Sequence, residues 1–381
     1  MRDPRLDRLA DVIVTYSTKV KAGDLVGIRS DPVAMPLIEA VYEKCLKVGA
    51  YPFWEATADC LNEIYLEHAD EKQLACLNPL QMQSIETMDV RLVFWAETNT
   101  KAMSQINPGK QRIQSAARKP YMKRFLERVA AGELRWCGTL FPTQASAQDA
   151  EMSLRQYEDF VFRAGLLHLD DPAAAWQKLS EGQQRAVDWL NTKKQIHFQA
   201  PAGNGHDGTD LRVSVDGATW INCCGGDNFP DGEVFAGPQG VEGHVNYTFP
   251  AVYNGREVEG IRLAFKGGRV VDASARRNEE FLIAMLDQDE GARNLGEIAI
   301  GTNYSIKQYT KNTLFDEKIG GTFHAAVGAG YPESGNTNES GLHWDMVCDL
   351  RTEAGGGSIT ADGEEFFRDG RFLFEGWPSP D

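Results

Sequence analysis

Apolar residues recur at helical spacing in the first half of the chain, and short apolar runs separate the helical stretches. In residues 3–20, for example, Leu9 and Ile13 fall on one helical face. Asp3 and Pro4 mark the start of that helix, because an aspartate caps free backbone N–H groups and a proline fits the first turn. Buried strands are predicted at 24–30, 51–56, 90–97 and 134–142. Strands that alternate with helices predict parallel βαβ units, and hence an α/β fold with an open parallel sheet.

The second half of the chain has short apolar runs with a period of two. Glycine-containing pairs such as Gly267-Gly268 separate these runs, and such pairs supply the positive φ angles of tight hairpins. The segments 213–224 and 261–275 therefore predict hairpins, and one helix is expected to start near Asn278. This half is predicted to be mostly antiparallel β, in the α+β class.

The change of period predicts two domains. We place the α/β N-terminal domain at residues 1–192 and the β-rich domain at residues 193–381. A long helical stretch, 147–192, belongs to the first domain and is expected to connect it to the second.

The charge and apolar content of the chain limit the kinds of partner that it is expected to bind. The 381 residues carry a net charge of −16, and no run approaches the roughly 18 apolar residues that cross a bilayer. An acidic surface repels nucleic acid and anionic membranes, so we expect neither as a partner. Seven cysteines without framework spacing, and an N-terminus without an apolar signal core, predict reduced thiols and a cytoplasmic location.

The stretch "GLHWDMV" places a histidine and an aspartate two positions apart. In a strand, His343 and Asp345 share one face, while Trp344 points to the other. One interpretation is a buried His–Asp hydrogen bond, and the other is a pair of ligands to one metal ion. The strand alone leaves both open.

Further ionisable side chains stand in apolar or glycine-rich segments of the second half. They are Glu233, Glu297, Glu317, His324 and Tyr331. A buried carboxylate is unfavourable by several kcal/mol unless it is paired or bound to a cation. Each residue alone has an ordinary interpretation, such as an ion pair for Glu297 or packing for Tyr331. Together with His343 and Asp345 they form an oxygen and imidazole donor set that suits Zn²⁺, Co²⁺ or Mn²⁺.

Charge favours two metal ions over one. Glu233, Glu297 and Asp345 supply −3, two divalent ions supply +4, and a bridging hydroxide would make the site neutral. Adding Glu317 would make it anionic, so Glu317 is expected to be a loose ligand or a proton carrier. Tyr331 can donate a hydrogen bond to an oxyanion. The predicted chemistry is hydrolysis of a carbonyl compound.

The motifs "GEVFAGP", "LGEIAIG", "TLFDE", "HAAVGAGY" and "LHWDMVCDLR" occur in this order. That order resembles the M29 metallopeptidases, the family of aminopeptidases T and S. The resemblance implies removal of N-terminal residues from short peptides by a homodimer with two divalent ions. It also implies that Glu297 bridges the ions and that Tyr331 lies over the site. The implied metal ligands are Glu233, Glu297, Glu317, His324, His343 and Asp345.

Between Glu317 and His324 the chain departs from the family, because "KIGGTF" is longer than the usual segment. We expect this to alter the wall of the substrate pocket. Two other functions stay open. His324, His343 and Asp345 alone would suit a mononuclear Fe(II) ring-cleaving dioxygenase, which does not need the carboxylate pair Glu233 and Glu297. A non-catalytic peptide-binding protein on the same fold is the other alternative.

Overall fold

A computed structural model describes residues 2–203 and 205–380. The chain forms two compact units, Met1–Ala173 with Gly225–Pro230 and Ala174–Cys224 with Asp231–Asp381. The domain boundary predicted at 192/193 stays a prediction, since compactness does not show which segments fold independently. Within the described residues, no helix is both long enough and apolar enough to cross a bilayer.

The helices and strands are numbered here in chain order. The helices are α1 (Pro4–Asp11), α2 (Met35–Val48), α3 (Asp59–His68), α4 (Glu71–Leu74), α5 (Pro79–Thr87), α6 (Pro108–Ala117), α7 (Lys119–Ala130), α8 (Gln144–Asp149), α9 (Leu154–Ala164), α10 (Pro172–Leu190), α11 (Glu279–Leu286) and α12 (Thr313–Asp316). The strands are β1 (Leu25–Ser30), β2 (Tyr51–Ala56), β3 (Val90–Trp95), β4 (Arg135–Leu140), β5 (Gln195–Ala200), β6 (Thr209–Ser214), β7 (Ile221–Cys223), β8 (Asn228–Phe229), β9 (Glu233–Ala236), β10 (Gly240–Asn246), β11 (Ala251–Tyr253), β12 (Arg256–Val258), β13 (Arg262–Lys266), β14 (Arg269–Ser274), β15 (Leu295–Gly301), β16 (Thr322–Gly328), β17 (His343–Asp349), β18 (Ser358–Ala361), β19 (Glu364–Arg368) and β20 (Arg371–Phe372).

The first unit contains a five-stranded parallel sheet in the order β2-β1-β3-β4-β8. This confirms the predicted open parallel α/β fold. The predicted start of α1 is also confirmed, because the Asp3 side chain accepts a hydrogen bond from the Arg5 N–H and Pro4 occupies the first turn. The predicted helical stretch 147–192 is interrupted, since Ser153 caps a new helix at α9 and Pro172 begins α10.

The second unit is mostly antiparallel, as predicted. Its large sheets are an eight-stranded one, β14-β13-β10-β6-β5-β18-β19-β20, and a five-stranded one, β17-β16-β15-β9-β7. One hydrophobic core contains side chains of both sheets. Phe198 of β5 stacks on Phe323 of β16 with ring centroids 4.4 Å apart. The two sheets therefore pack through a shared apolar interior.

Of the two predicted hairpins, one is confirmed and one is wrong. Strands β13 and β14 pair around Gly267 and Gly268, whose φ angles are 59° and 81°. The hairpin predicted over 213–224 does not form, because β6 pairs with β5 and β10 whereas β7 pairs with β9. The turn after β6 carries the chain from one sheet to the other, and a local turn signal does not encode that change.

Candidate metal centre

Five of the seven predicted site residues lie on the five-stranded sheet of the second unit, in β9, β15, β16 and β17. Strand β17 carries His343 and Asp345, and the intervening Trp344 is 2% exposed in the hydrophobic core. This arrangement agrees with the alternation predicted for a strand. The imidazole Nε2 of His343 lies 3.4 Å from Oδ1 of Asp345.

Small residues separate the site side chains across neighbouring strands. Glu297 of β15 is opposite Ala326 of β16, and Ala326 is opposite Asp345 of β17. His324, two positions before Ala326, is opposite Ala299 of β15. Because side chains of directly paired residues lie on the same face of a sheet, the two alanine methyl groups leave space between the larger polar side chains.

Glu297 lies between the two histidines. Its Oε1 is 3.1 Å from Nε2 of His324, and its Oε2 is 3.6 Å from Nε2 of His343. Two groups of potential metal-binding atoms share this carboxylate, Glu297 with Glu233 and His324, and Glu297 with His343 and Asp345. Within each group the atoms lie within 4.8 Å of one another.

Backbone carbonyls orient both imidazoles. His324 Nδ1 lies 3.0 Å from the carbonyl oxygen of Glu317, and His343 Nδ1 lies 2.8 Å from that of Ala329. Since a carbonyl oxygen only accepts hydrogen bonds, each Nδ1 must carry the hydrogen. Each Nε2 then faces the carboxylates, which is the orientation that metal-ligating histidines adopt when the other ring nitrogen donates to the protein.

Burial shifts the protonation equilibria of the site. Burial raises the pKa of Glu233 to about 8, and the Oε2 atom of this buried side chain has no hydrogen-bond partner. Burial alone would lower the pKa of His324, but its hydrogen bond to Glu297 and the charges of Glu233 and Glu297 raise it to about 10. A buried oxygen without a donor, beside other oxygen and imidazole atoms, fits a divalent cation.

Lys318 lies in the site, and the sequence analysis missed it. Its side chain is fully buried. The ammonium Nζ contacts Oε1 of Glu317 and lies 3.6 Å from Oε1 of Glu233. The signal in the sequence is a lysine directly after the glutamate in "FDEKIGG". A buried ammonium is stable there because the neighbouring carboxylates compensate its charge.

Glu317 and Tyr331 lie at the margin of the site. Glu317 follows α12 as its C-cap residue, and among the described residues it is not part of either group of converging donors. Tyr331 is 40% exposed. Its ring stands edge-on to the rings of His343 and Phe235, with centroids 5.2 Å and 5.6 Å away. Tyr331 is therefore placed between the donor atoms and solvent.

Comparison with known proteins shows which proteins the whole chain is similar to. The chain is 29% identical to aminopeptidase 2 of Geobacillus stearothermophilus over an alignment that covers 98% of each protein. It is 28% identical to aminopeptidase T of Thermus aquaticus, with 88% of this chain and 87% of that protein covered. The solved structure of wild-type AmpT from Thermus thermophilus superposes with a TM-score of 0.83 at 25% identity, covering 97% of this chain and 99% of that one.

A family model also matches nearly the whole sequence. The model for the thermophilic metalloproteases, M29, matches residues 2–372. This match includes the α/β half of the chain. The chain therefore belongs to the M29 family of metalloproteases.

Proposed function

We propose that this metallopeptidase is an aminopeptidase that uses two divalent ions, Zn²⁺, Co²⁺ or Mn²⁺, bridged by Glu297. The observation that carries the proposal is that two groups of donor atoms share Glu297, one with Glu233 and His324 and the other with His343 and Asp345. Ions bound there would polarise a peptide carbonyl and lower the pKa of an attacking water. The names of the relatives, aminopeptidases 2 and T, support the removal of N-terminal residues.

Lys318 supports a role for Glu317 in the same site. The carboxylates of Glu233, Glu297, Glu317 and Asp345 carry −4, and Lys318 returns the sum to −3. The three carboxylates of Glu233, Glu297 and Asp345 alone also carry −3. Including Glu317 together with Lys318 therefore does not make the site more anionic. Glu317, next to Lys318, can act as a sixth metal-binding residue or can carry a proton during peptide cleavage.

The surroundings of Glu317 suit the end of a peptide. Glu317 and Asp345 line a recess together with Pro250, Val252 and Val347. We place the N-terminal residue of the substrate at the mouth of this recess, with its α-ammonium group attracted to the carboxylates. Tyr331, at the exposed margin, would donate its hydroxyl hydrogen to the oxyanion that forms from the peptide carbonyl.

The proposal also covers the substrate, the assembly and the location of the protein. The M29 resemblance supports short peptides as substrates and a homodimer as the assembly. The seven cysteines are free thiols, which is consistent with a cytoplasmic location. The Fe(II) dioxygenase and the non-catalytic peptide-binding protein find no support in the comparisons.

A pair of matched peptides tests the proposed activity. The metal-loaded protein should release the first residue of a free tripeptide and should leave the N-acetylated form of the same tripeptide intact. Cleavage of both forms at an internal bond would contradict an aminopeptidase. Glu317→Gln then separates its two roles: loss of bound metal identifies a ligand, whereas retained metal with lost turnover identifies a proton carrier.

A further inference from the structure

The first unit contains a cluster of arginines that the peptidase site does not use. Arg29, Arg91 and Arg118 line a common recess, open to solvent, with Glu55 and Tyr121. Arg29 and Arg91 lie on the neighbouring parallel strands β1 and β3, and Arg118 lies between helices α6 and α7. Among the described residues, none of the three arginines forms an ion pair. This sets them apart in a chain that has 55 acidic residues and only 39 basic ones.

Arg91 is the buried member of the cluster. It is 8% exposed, and its Nε has no hydrogen-bond partner. Its guanidinium carbon lies 5.2 Å from the ring centroid of Tyr121 and 5.7 Å from that of Phe125. These rings support the flat face of the guanidinium group, but they do not accept a hydrogen bond from its in-plane Nε–H. A buried donor without an acceptor is unfavourable by roughly 1–3 kcal/mol, and by more when the group is charged.

The charges around Arg91 do not cancel. Burial, followed by the neighbouring Arg29, lowers the pKa of Arg91 to about 10. Glu55, the register partner of Arg29 on β2, is the carboxylate that lines the recess. Three arginines and one glutamate leave a net charge of +2.

We propose that this recess, lined by Arg29, Arg91 and Arg118, binds a phosphate dianion. The net charge of +2 matches a dianion, and guanidinium groups from two strands and a helix junction can donate to a tetrahedral set of oxygens. A monovalent carboxylate such as acetate would leave a positive charge uncompensated. The site lies in the α/β unit, and the proposal is independent of the peptidase function.

Inorganic phosphate is the probe that tests this site. We expect isothermal titration calorimetry on the full-length protein to detect phosphate binding, and acetate at the same ionic strength to give no signal. At ten times its Kd, phosphate should raise the Tm by on the order of 2 °C. Arg91→Met keeps the apolar stem against Tyr121 and should abolish both signals. Arg256→Met removes an arginine that stacks on Phe281 in the second unit, and it should bind phosphate like the unaltered protein.

Glu55→Gln provides a test with the opposite sign. It removes the competing carboxylate without altering an arginine, so it should tighten phosphate binding several-fold. A Kd that is unchanged in both Arg91→Met and Glu55→Gln would place any phosphate elsewhere, including at the metal centre, and would overturn the proposal. Equal binding of acetate and phosphate would also overturn it.

Discussion

Glu297 and His324 face each other across adjacent strands, with Oε1 of Glu297 3.1 Å from Nε2 of His324. The other carboxylate oxygen is directed to His343, 3.6 Å away. A single carboxylate thus has one oxygen for each of two donor groups. This relationship is the basis for the proposal of two metal ions that share Glu297.

Removing one oxygen of this carboxylate should disable the site. We expect Glu297→Gln to lower kcat/KM by more than about 100-fold and to reduce bound metal, because an amide nitrogen cannot serve as a ligand. The measurement is peptide hydrolysis together with metal content. Glu290→Gln, which changes an exposed side chain near β15, is the matched control and should behave like the unaltered protein. Full activity of Glu297→Gln would show that this carboxylate does not hold the metal.

The Lys318–Glu317 contact predicts a compensating pair of substitutions. Lys318→Met leaves buried carboxylates unbalanced, so the metal-free protein should lose stability, by roughly 3–5 kcal/mol if the pair behaves like other broken buried ion pairs. Adding Glu317→Gln removes one of those charges and should restore part of the loss. Thermal unfolding of the metal-free variants measures both effects.

The control for this pair is Lys266→Met, which removes an exposed lysine. It should leave the Tm nearly unchanged. If the double variant were no more stable than Lys318→Met alone, charge compensation by Lys318 would be the wrong explanation for its burial.

Tyr331 should act in turnover rather than in metal binding. Tyr331→Phe keeps the ring contacts with His343 and Phe235 but removes the hydroxyl donor. We expect kcat to fall by roughly 10²-fold with metal content and KM little changed, as for other oxyanion donors. Tyr253→Phe, on the opposite side of β17 against Trp344, is the control. A changed KM with an unchanged kcat would assign Tyr331 to substrate binding instead.

Metal binding should release protons. In the metal-free protein, burial alone would lower the pKa of His343, but Asp345 raises it to about 10. The same value holds for His324, so both imidazoles carry a proton at pH 7 that a metal ion must displace. Calorimetry in buffers of different ionisation enthalpy should detect this release at pH 7 and a much smaller one above pH 10. Binding at pH 7 without proton release would contradict these protonation states.

The same shift affects stability in a defined direction. For both histidines the pKa rises on folding from its ordinary value of 6.5. Their contribution to the stability of the metal-free protein is therefore fully present below pH 6.5 and is lost as the pH rises through about 10. The measurement is the Tm of the metal-free protein between pH 6.5 and pH 10. A Tm that increased with pH over this interval would contradict the predicted direction.

Local patterns predicted most of the fold and much of the geometry of the site. The cap at Asp3 and the hairpin at Gly267 depend on neighbouring residues, so the sequence reveals them. The failed hairpin over 213–224 depends on which sheet receives β7, and that choice is made by distant strands. The burial of Lys318 could not be predicted for a similar reason. One of its two carboxylate partners, Glu233, is far away along the chain, and a single lysine does not contribute to an apolar period.

The most direct test of the central claim is the metal content of the purified protein, measured with hydrolysis of aminoacyl substrates before chelation, after chelation and after refilling. The account predicts about two equivalents of Zn, Co or Mn per chain, loss of hydrolysis on chelation and its return on refilling. About one equivalent of iron, with no aminoacyl hydrolysis in any state, would contradict it and would leave Glu233 and Glu297 without the role assigned to them.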